Sequence, residues 1–284
     1  MNRKWIVIDG NAIAWAGFHA CGDLSYQNTP TGVSFFFLGK ILDLQRELAT
    51  EHVAICFDYG RSKRYKMCST YKATRNKKRD DDPEVRARFV SVCQQIDTLR
   101  KQHLKSIGFR NVFYAKGFEA DDMIASVCNN LRAGDEAVIV SADHDMWQLI
   151  RHNVSVFIPT VKKHITRKSF VQEYGFSPRK WVDVKCLAGC STDDIPGISG
   201  IGEKTAAKYL RGELKPTSVA YKKIIQGIKR GIMETNRPLV ELPLAGTPEC
   251  IPRTQKQSLS WQPTLKALNI KSLDPDFAPP PYRE

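Results

Sequence analysis

Val138-Ile139-Val140-Ser141-Ala142-Asp143-His144-Asp145 is an apolar run that ends in two carboxylates. A short continuous apolar run bounded by polar residues reads as a strand buried on both faces. The pattern recurs elsewhere. Trp5 to Ile8 runs into Asp9, Val53 to Phe57 into Asp58, and Val112 to Ala115 is followed by Glu119, Asp121 and Asp122; Val154 to Ile158 adds a fifth run. Between these lie helical spacings: Phe35, Leu38, Ile41, Leu42 and Leu48; Phe89, Val92, Ile96, Leu99 and Leu104; Met123, Ile124, Val127 and Leu131. Strand alternating with helix predicts an α/β fold, a mainly parallel central sheet flanked by helices. In such sheets functional groups gather at the carboxyl ends of the strands.

Outward from this core, residues 1–160 form the expected α/β body. Residues 161–236 read as a helical subdomain with a glycine turn at Gly197 to Gly202. From 237 to 284 prolines accumulate, ending in Pro279-Pro280-Pro281-Tyr282. That extension is expected to be a strap over the body, with a docking segment as the alternative.

The 284 residues carry 43 Lys and Arg against 30 Asp and Glu, a net charge of +13, with 42% hydrophobic residues. This excludes disorder along the whole chain, and no apolar run approaches the ~18 residues of a membrane span. Eight cysteines without a Cys-x-x-Cys pair are expected to be reduced thiols. With no signal-peptide pattern at the N-terminus, a cytoplasmic protein is expected. An excess of positive charge points first to a polyanionic partner.

The acids are unusual against that background. If the strands are neighbours, Asp9, Asp58, Glu119, Asp121, Asp122, Asp143 and Asp145 meet at one sheet edge, where like charges repel unless cations neutralise them. All-oxygen ligand sets suit Mg²⁺ or Mn²⁺, and a pair of such ions is a usual arrangement for phosphodiester hydrolysis. Taken singly, each acid also reads as a helix cap.

Residues 61–79 hold nine Lys or Arg and no acid. Such a stretch can steer a nucleic-acid backbone towards the carboxylates, and Tyr65 and Tyr71 within it either stack on bases or pack a helix. The glycine turn precedes Glu203-Lys204-Thr205, and residues 204–230 add eight basic side chains against Glu213 alone. That resembles a helix-hairpin-helix that grips phosphates through backbone amides.

Together these motifs resemble the flap endonuclease / 5′-3′ exonuclease family, which includes phage 5′-nucleases and the 5′-nuclease domain of bacterial DNA polymerase I. The resemblance rests on Ile8-Asp9-Gly10-Asn11, Phe57-Asp58, Tyr71-Lys72-Ala73-Thr74-Arg75, Phe118 to Asp122, Ser141 to Asp145 and Ile195 to Ala206. It implies a PIN-like, resolvase-like nuclease core, a helical arch at about 60–88 and a helix-three-turn-helix motif. Asp9, Asp58, Glu119 and Asp121, with Asp122 through water, would hold one ion; Asp143, Asp145 and Asp193 would hold the second. Lys72 and Arg75 would contact the scissile phosphate, joined at the DNA by Trp15, Arg64, Tyr71, Gly197, Ile198, Gly200, Gly202, Lys204 and Thr205. A potassium ion would sit at Gly197, Gly200 and Gly202. Trp15 alternatively reads as a core residue.

The implied activity is metal-dependent hydrolysis of DNA 5′ ends, flaps or branches to 5′-phosphate and 3′-hydroxyl products, in replication, repair or recombination, by a monomer working beside replication proteins. One position departs from the pattern. Five residues before Ile195, where the family carries a carboxylate, stands Cys190, a poor donor for Mg²⁺. A branched-DNA-binding protein with little catalysis, or a PIN-like ribonuclease, are the competing expectations.

Overall fold

The computed structural model describes residues 2–254 and 259–275. In chain order the body comprises β1 (Lys4–Asp9), α1 (Gly10–Cys21), the small hairpin β2 (Ser25–Tyr26) and β3 (Thr29–Pro30), α2 (Gly32–Leu48) and β4 (Val53–Cys56). There follow α3 (Arg64–Met67), α4 (Ala73–Asp81), α5 (Pro83–Thr98), α6 (Leu104–Ile107), β5 (Val112–Phe113), α7 (Ala120–Asn129), β6 (Glu136–Val140), β7 (Val154–Ile158) and β8 (Lys163–Ile165). The rest is α8 (Arg167–Tyr174), α9 (Trp181–Ala188), the hairpin β9 (Gly189–Cys190) and β10 (Ile195–Pro196), α10 (Glu203–Leu210), α11 (Val219–Lys229), α12 (Ile232–Val240) and α13 (Gln262–Ala267).

The main sheet runs β5-β4-β1-β6-β7-β8, parallel throughout except for β8. Between their ends its central strands β1, β4 and β6 are apolar at successive positions because each face meets its own core. Trp5, Val7, Ala54, Cys56, Ala137 and Ile139 pack on the side of α7 and α9, whereas Ile6, Ile8, Val53, Ile55, Val138 and Val140 pack on the side of α1, α2 and α5. The chain leaves β1 towards β4 and β5, then returns to β6 on the other flank. The crevice at the carboxyl end of β1 is therefore the topological switch point, where open α/β sheets bind ligands.

The five expected strands are present, the third shortened to two residues. The expected helix from Phe89 to Leu104 is continuous in direction but passes through a π-helical turn at Leu99–His103. In the basic segment α3 is followed by a turn at residues 69–72, and α4 and α5 meet at Asp82, whose carboxylate accepts from the Glu84 and Val85 N–H groups at 2.9 and 3.2 Å.

β8 joins the sheet, carrying the body past residue 160 to 165, and residue 236 lies inside α12, which ends only at Val240. Pro238 lies inside that helix and cannot donate to the Glu234 carbonyl, and only Leu239 and Val240 are helical after it. The described part of the extension is a strap. Leu244 N–H donates to Asp122 at 2.9 Å, Cys250 N–H to Ser126 Oγ at 2.9 Å, and Arg253 and Asn111 exchange two hydrogen bonds of 2.8 and 2.9 Å. Pro279 to Tyr282 lie outside the described residues.

Candidate active site

Asp9 closes β1 and caps α1, accepting from Ala12 N–H at 3.0 Å. Beside it, Asn11 Oδ1 accepts from Asp58 N–H at 3.0 Å, and Asp58 Oδ1 accepts from Ala120 N–H at 2.7 Å. These local bonds lock the ends of β1, β4 and the start of α7 together, which brings Asp121 to Asp9. The caps and the acidic cluster are thus built from the same residues.

The carboxylates of the cluster raise one another's pKa. Loss of water and then the Asp58 charge push Asp9 up to about 7, with Asp143 adding to it and the Ala12 and Asn11 N–H groups opposing. Asp121 is held well above the usual carboxylate range by burial, then by Asp9 and Asp143. Asp58 is raised by burial although the Ala120 N–H, Lys72 and Arg75 oppose. Acids crowded so far above their normal range fit hard divalent cations, which neutralise them without filling the crevice with side chains.

A second group lies alongside. Asp145, Cys190 and Asp193 offer donor atoms within 4.8 Å of one another. Asp143 accepts from Asp145 N–H at 2.8 Å, capping the turn His144–Leu149. Burial and Asp143 push Asp145 up to about 6, against the pull of Lys185 at 2.7 Å. Asp193 is raised by burial, with Lys72 opposing. The Cys190 thiol shares a hydrogen bond of 3.1 Å with Thr192 and is pushed up by burial, so it stays protonated and soft beside two hard oxygens.

Lys185, which the sequence did not single out, is buried between Asp145 and Glu203, the latter at 3.0 Å. The other Glu203 oxygen lies 2.9 Å from His144 Nδ1, and the His144 hydrogen bond, then Lys185 against the cost of burial, draw Glu203 down to about 2. Glu203 opens α10, so this relay ties the glycine turn to the second acidic group. No local pattern marks Lys185; only the pairing of distant elements does.

The basic segment divides into two sets. Lys72 contacts Glu119, lies 3.7 Å from Asp193, and its N–H donates to the Asp193 carbonyl at 2.9 Å. Arg75 is exposed and its charge acts on Asp58. Asp194 accepts from both Thr74 N–H and Thr74 Oγ1, at 2.8 and 2.7 Å, which anchors the base of α4 and withdraws Asp194 from the acidic group.

Arg64 departs from the expected DNA contact. It is only 2% exposed, forks onto Asp122 through two bonds of 2.8 Å, reaches Glu119 at 3.0 Å and donates to the Leu239 carbonyl at 2.9 Å. Asp122 is fully buried by the same pair, each of its carboxylate oxygens accepting from the Arg64 guanidinium. Tyr71 is likewise buried. Its hydroxyl donates to Glu119 at 2.7 Å and its ring has no open face for a base. Trp15 is half-buried and stacks on Phe89 of α5 with centroids 5.8 Å apart, while the Arg79 guanidinium covers the same Phe89 ring at 4.7 Å. It joins α1 to the base of the basic helices.

At the glycine turn, a Cβ on Gly197 would lie 2.0 Å from the Ala188 carbonyl, so only glycine permits this crossing of β9 and β10. Gly200 has φ +81°, a left-handed conformation. Ile198 packs on α11, Gly202 caps α10, and Lys204 and Thr205 sit in its first turn, Lys204 exposed.

Residues 4–175 match the 5′-3′ exonuclease N-terminal resolvase-like domain. The chain is 31% identical over 223 residues to a Bacillus subtilis 5′-3′ exonuclease, covering 74% of this chain and 70% of that protein. It is 30% identical over 267 residues to DNA polymerase I of Mycobacterium tuberculosis, 87% of this chain but only 28% of the polymerase's length. Among solved structures it is similar to the zinc-bound T5 5′-exonuclease, with a TM-score of 0.70 at 21% identity over 85% of this chain and 90% of that one. Human GEN1 in complex with Holliday junction DNA matches at a TM-score of 0.53 and 16% identity, over 94% of this chain and 67% of that one. The strand-end carboxylates, the glycine turn and the matched profile agree: the chain belongs to the 5′-3′ exonuclease family.

Proposed function

We propose that the protein is a divalent-metal-dependent 5′-3′ exonuclease and 5′-flap endonuclease of DNA. The observation that carries this reading is the convergence of Asp9, Asp58 and Asp121 at the switch-point crevice, with raised carboxylates lying beside Lys72 and Arg75. Asp9, Asp58, Glu119 and Asp121 are the residues that would hold one Mg²⁺ or Mn²⁺; Asp143, Asp145 and Asp193 would hold a second. When bound, such ions supply Lewis-acid stabilisation of phosphoryl charge and a more acidic water.

The chain's own part is positioning and charge. Lys72 neutralises Glu119 and Asp193; with those carboxylates holding an ion, its ammonium would be free to face a phosphate. Arg75, exposed on the first turn of α4, adds a second donor at the same edge. Together they stabilise the charge that grows on the non-bridging oxygens in the transition state. The exposed Arg61, Lys63, Lys66, Lys77 and Lys78 bring the strand in, and the glycine turn holds the duplex through backbone amides. The products are a 5′-phosphate and a 3′-hydroxyl. A place in replication or repair beside replication proteins is supported by the polymerase relatives.

A 5′-labelled flap DNA incubated with Mg²⁺, Mn²⁺ or EDTA tests this. Cleavage at the junction with either ion and none in EDTA is expected; binding without cleavage under every condition means a branch-binding protein, and faster cleavage of an RNA flap means a ribonuclease. Cys190 sharpens the expectation. A thiol among hard oxygens weakens Mg²⁺ more than Mn²⁺, so Cys190→Asp is expected to raise Mg²⁺-supported turnover by about tenfold, the scale of one repaired ligand contact, and to narrow the Mn²⁺ preference. Unchanged turnover and unchanged metal preference would show that Cys190 lies outside the reacting centre.

A further inference from the structure

The glycine turn contains a cation of its own. Lys223 of α11 donates from Nζ to the Ser199 carbonyl at 3.1 Å. Its ammonium fills the space opened by a missing side chain, since a Cβ on Gly200 would lie 3.4 Å from Nζ and Gly200 holds φ +81°. The placement is built in. One turn further along α11, a Cβ on Gly227 would collide with Ile198 at 2.5 Å, so the face carrying residues 223 and 227 is pressed onto the turn. Among the described residues Lys223 has no carboxylate partner, and it is exposed.

At the carbonyls of this turn a resident K⁺ would compete with donors already in place. The Gly202 carbonyl accepts from the Thr205 and Ala206 N–H groups at 3.0 and 2.9 Å, and the Ile198 carbonyl from Ile201 N–H at 2.9 Å. A K⁺ at Ser199 would meet the ammonium in contact. An ammonium and K⁺ are alike in charge and similar in size, and the ammonium adds donors that can reach a second acceptor.

We propose that Lys223 is the tethered cation of the glycine turn, bridging the Ser199 carbonyl to a phosphate of bound DNA, and that the turn therefore grips DNA without K⁺. This rests on the DNA-binding reading above. A tethered cation pays no cost of capture from solution at each binding event and makes affinity insensitive to which monovalent salt is present. The neighbouring Lys222, exposed on the same helix, contributes only screened charge.

Affinity for 5′-flap DNA, measured by fluorescence anisotropy in EDTA at fixed ionic strength, separates these roles. The wild-type Kd is expected to be equal in KCl and tetramethylammonium chloride. Lys223→Met is expected to bind about tenfold more weakly in tetramethylammonium, the loss of one charge-assisted hydrogen bond, and to recover in KCl because K⁺ can now reach the freed Ser199 carbonyl. Lys222→Met should lose a smaller factor, equal in both salts. A wild-type Kd that itself weakens without K⁺, or Lys223→Met that behaves as Lys222→Met does, overturns the proposal while leaving the DNA-binding reading intact. Absence of flap binding by the wild type in any salt overturns that reading as well.

Discussion

Asp121→Asn is expected to lower flap cleavage by about 10³-fold or more, the equivalent of roughly 4 kcal/mol of transition-state stabilisation, while the metal-free protein becomes more stable above neutral pH. Both effects follow from one fact: burial, Asp9 and Asp143 hold the Asp121 carboxyl far above its ordinary 3.8. Catalytically, an amide is a weak, neutral ligand where the site needs a charged oxygen. For stability the sign is set by the raised value. The folded protein keeps a proton that the unfolded chain releases above 3.8, so this group's contribution falls as pH rises through the window between the two.

Asparagine cannot ionise, so the substitution removes that pH-dependent cost. Its gain in thermal midpoint should be small near pH 5 and grow towards pH 8, with flap affinity in EDTA undiminished. Thermal melts at the two pH values beside single-turnover cleavage rates measure all three. A variant that cleaves at the wild-type rate, or that melts lower than wild type at pH 8, removes Asp121 from the metal centre. Activity maintained at the expense of folded stability is the behaviour expected of a site whose charges are matched to an ion and not to each other.

How much of this was readable from the sequence depends on how local each feature is. β1, β4, β6 and β7 were legible because each is a continuous apolar run, a pattern forced by a strand whose alternate residues enter different cores, as Trp5 and Val7 do against Ile6 and Ile8. The acids were legible because Asp9, Asp58 and Asp143 stand at or just beyond those strand ends. β8 was not, since Lys163-His164-Ile165 is short, polar and on an edge. The end of α12 was not legible because proline reads as a breaker, whereas here the helix runs only two residues past Pro238.

The side chains that turn inward share one cause. Arg64, Tyr71 and Asp122 lie in the right motifs with the right chemistry, but whether they face DNA or the interior is decided by partners such as Leu239, 175 residues from Arg64. No spacing encodes that. Lys185 is the converse: an ordinary lysine in an apolar helix that becomes part of the site only when Asp145 and Glu203 arrive from elsewhere.

Arg64→Met supplies the second large effect, on folding. Removing one partner of a buried ion pair leaves the other charge stranded, at a cost of about 3–5 kcal/mol. Here Asp122 would remain fully buried with only the Glu119 and Leu244 N–H groups at 3.1 and 2.9 Å, and the Leu239 carbonyl would lose its donor. For a chain of this size the thermal midpoint should fall by roughly 10 °C. Adding Asp122→Asn should return part of the loss, because the amide oxygen still serves the Leu244 N–H while the stranded charge is gone. A DNA-contacting arginine would behave otherwise: its loss would weaken flap binding, leave the melting midpoint in place, and gain nothing from the second substitution. The double variant therefore distinguishes a buried clasp from a phosphate contact even if cleavage falls in both. A clasp joining the basic segment at Arg64, the metal-site helix at Asp122 and the end of α12 at Leu239 has a further consequence. Glu119 accepts from Arg64 and Tyr71 as well as facing Lys72, so loosening the clasp should disturb metal affinity through Glu119 before the fold itself is lost.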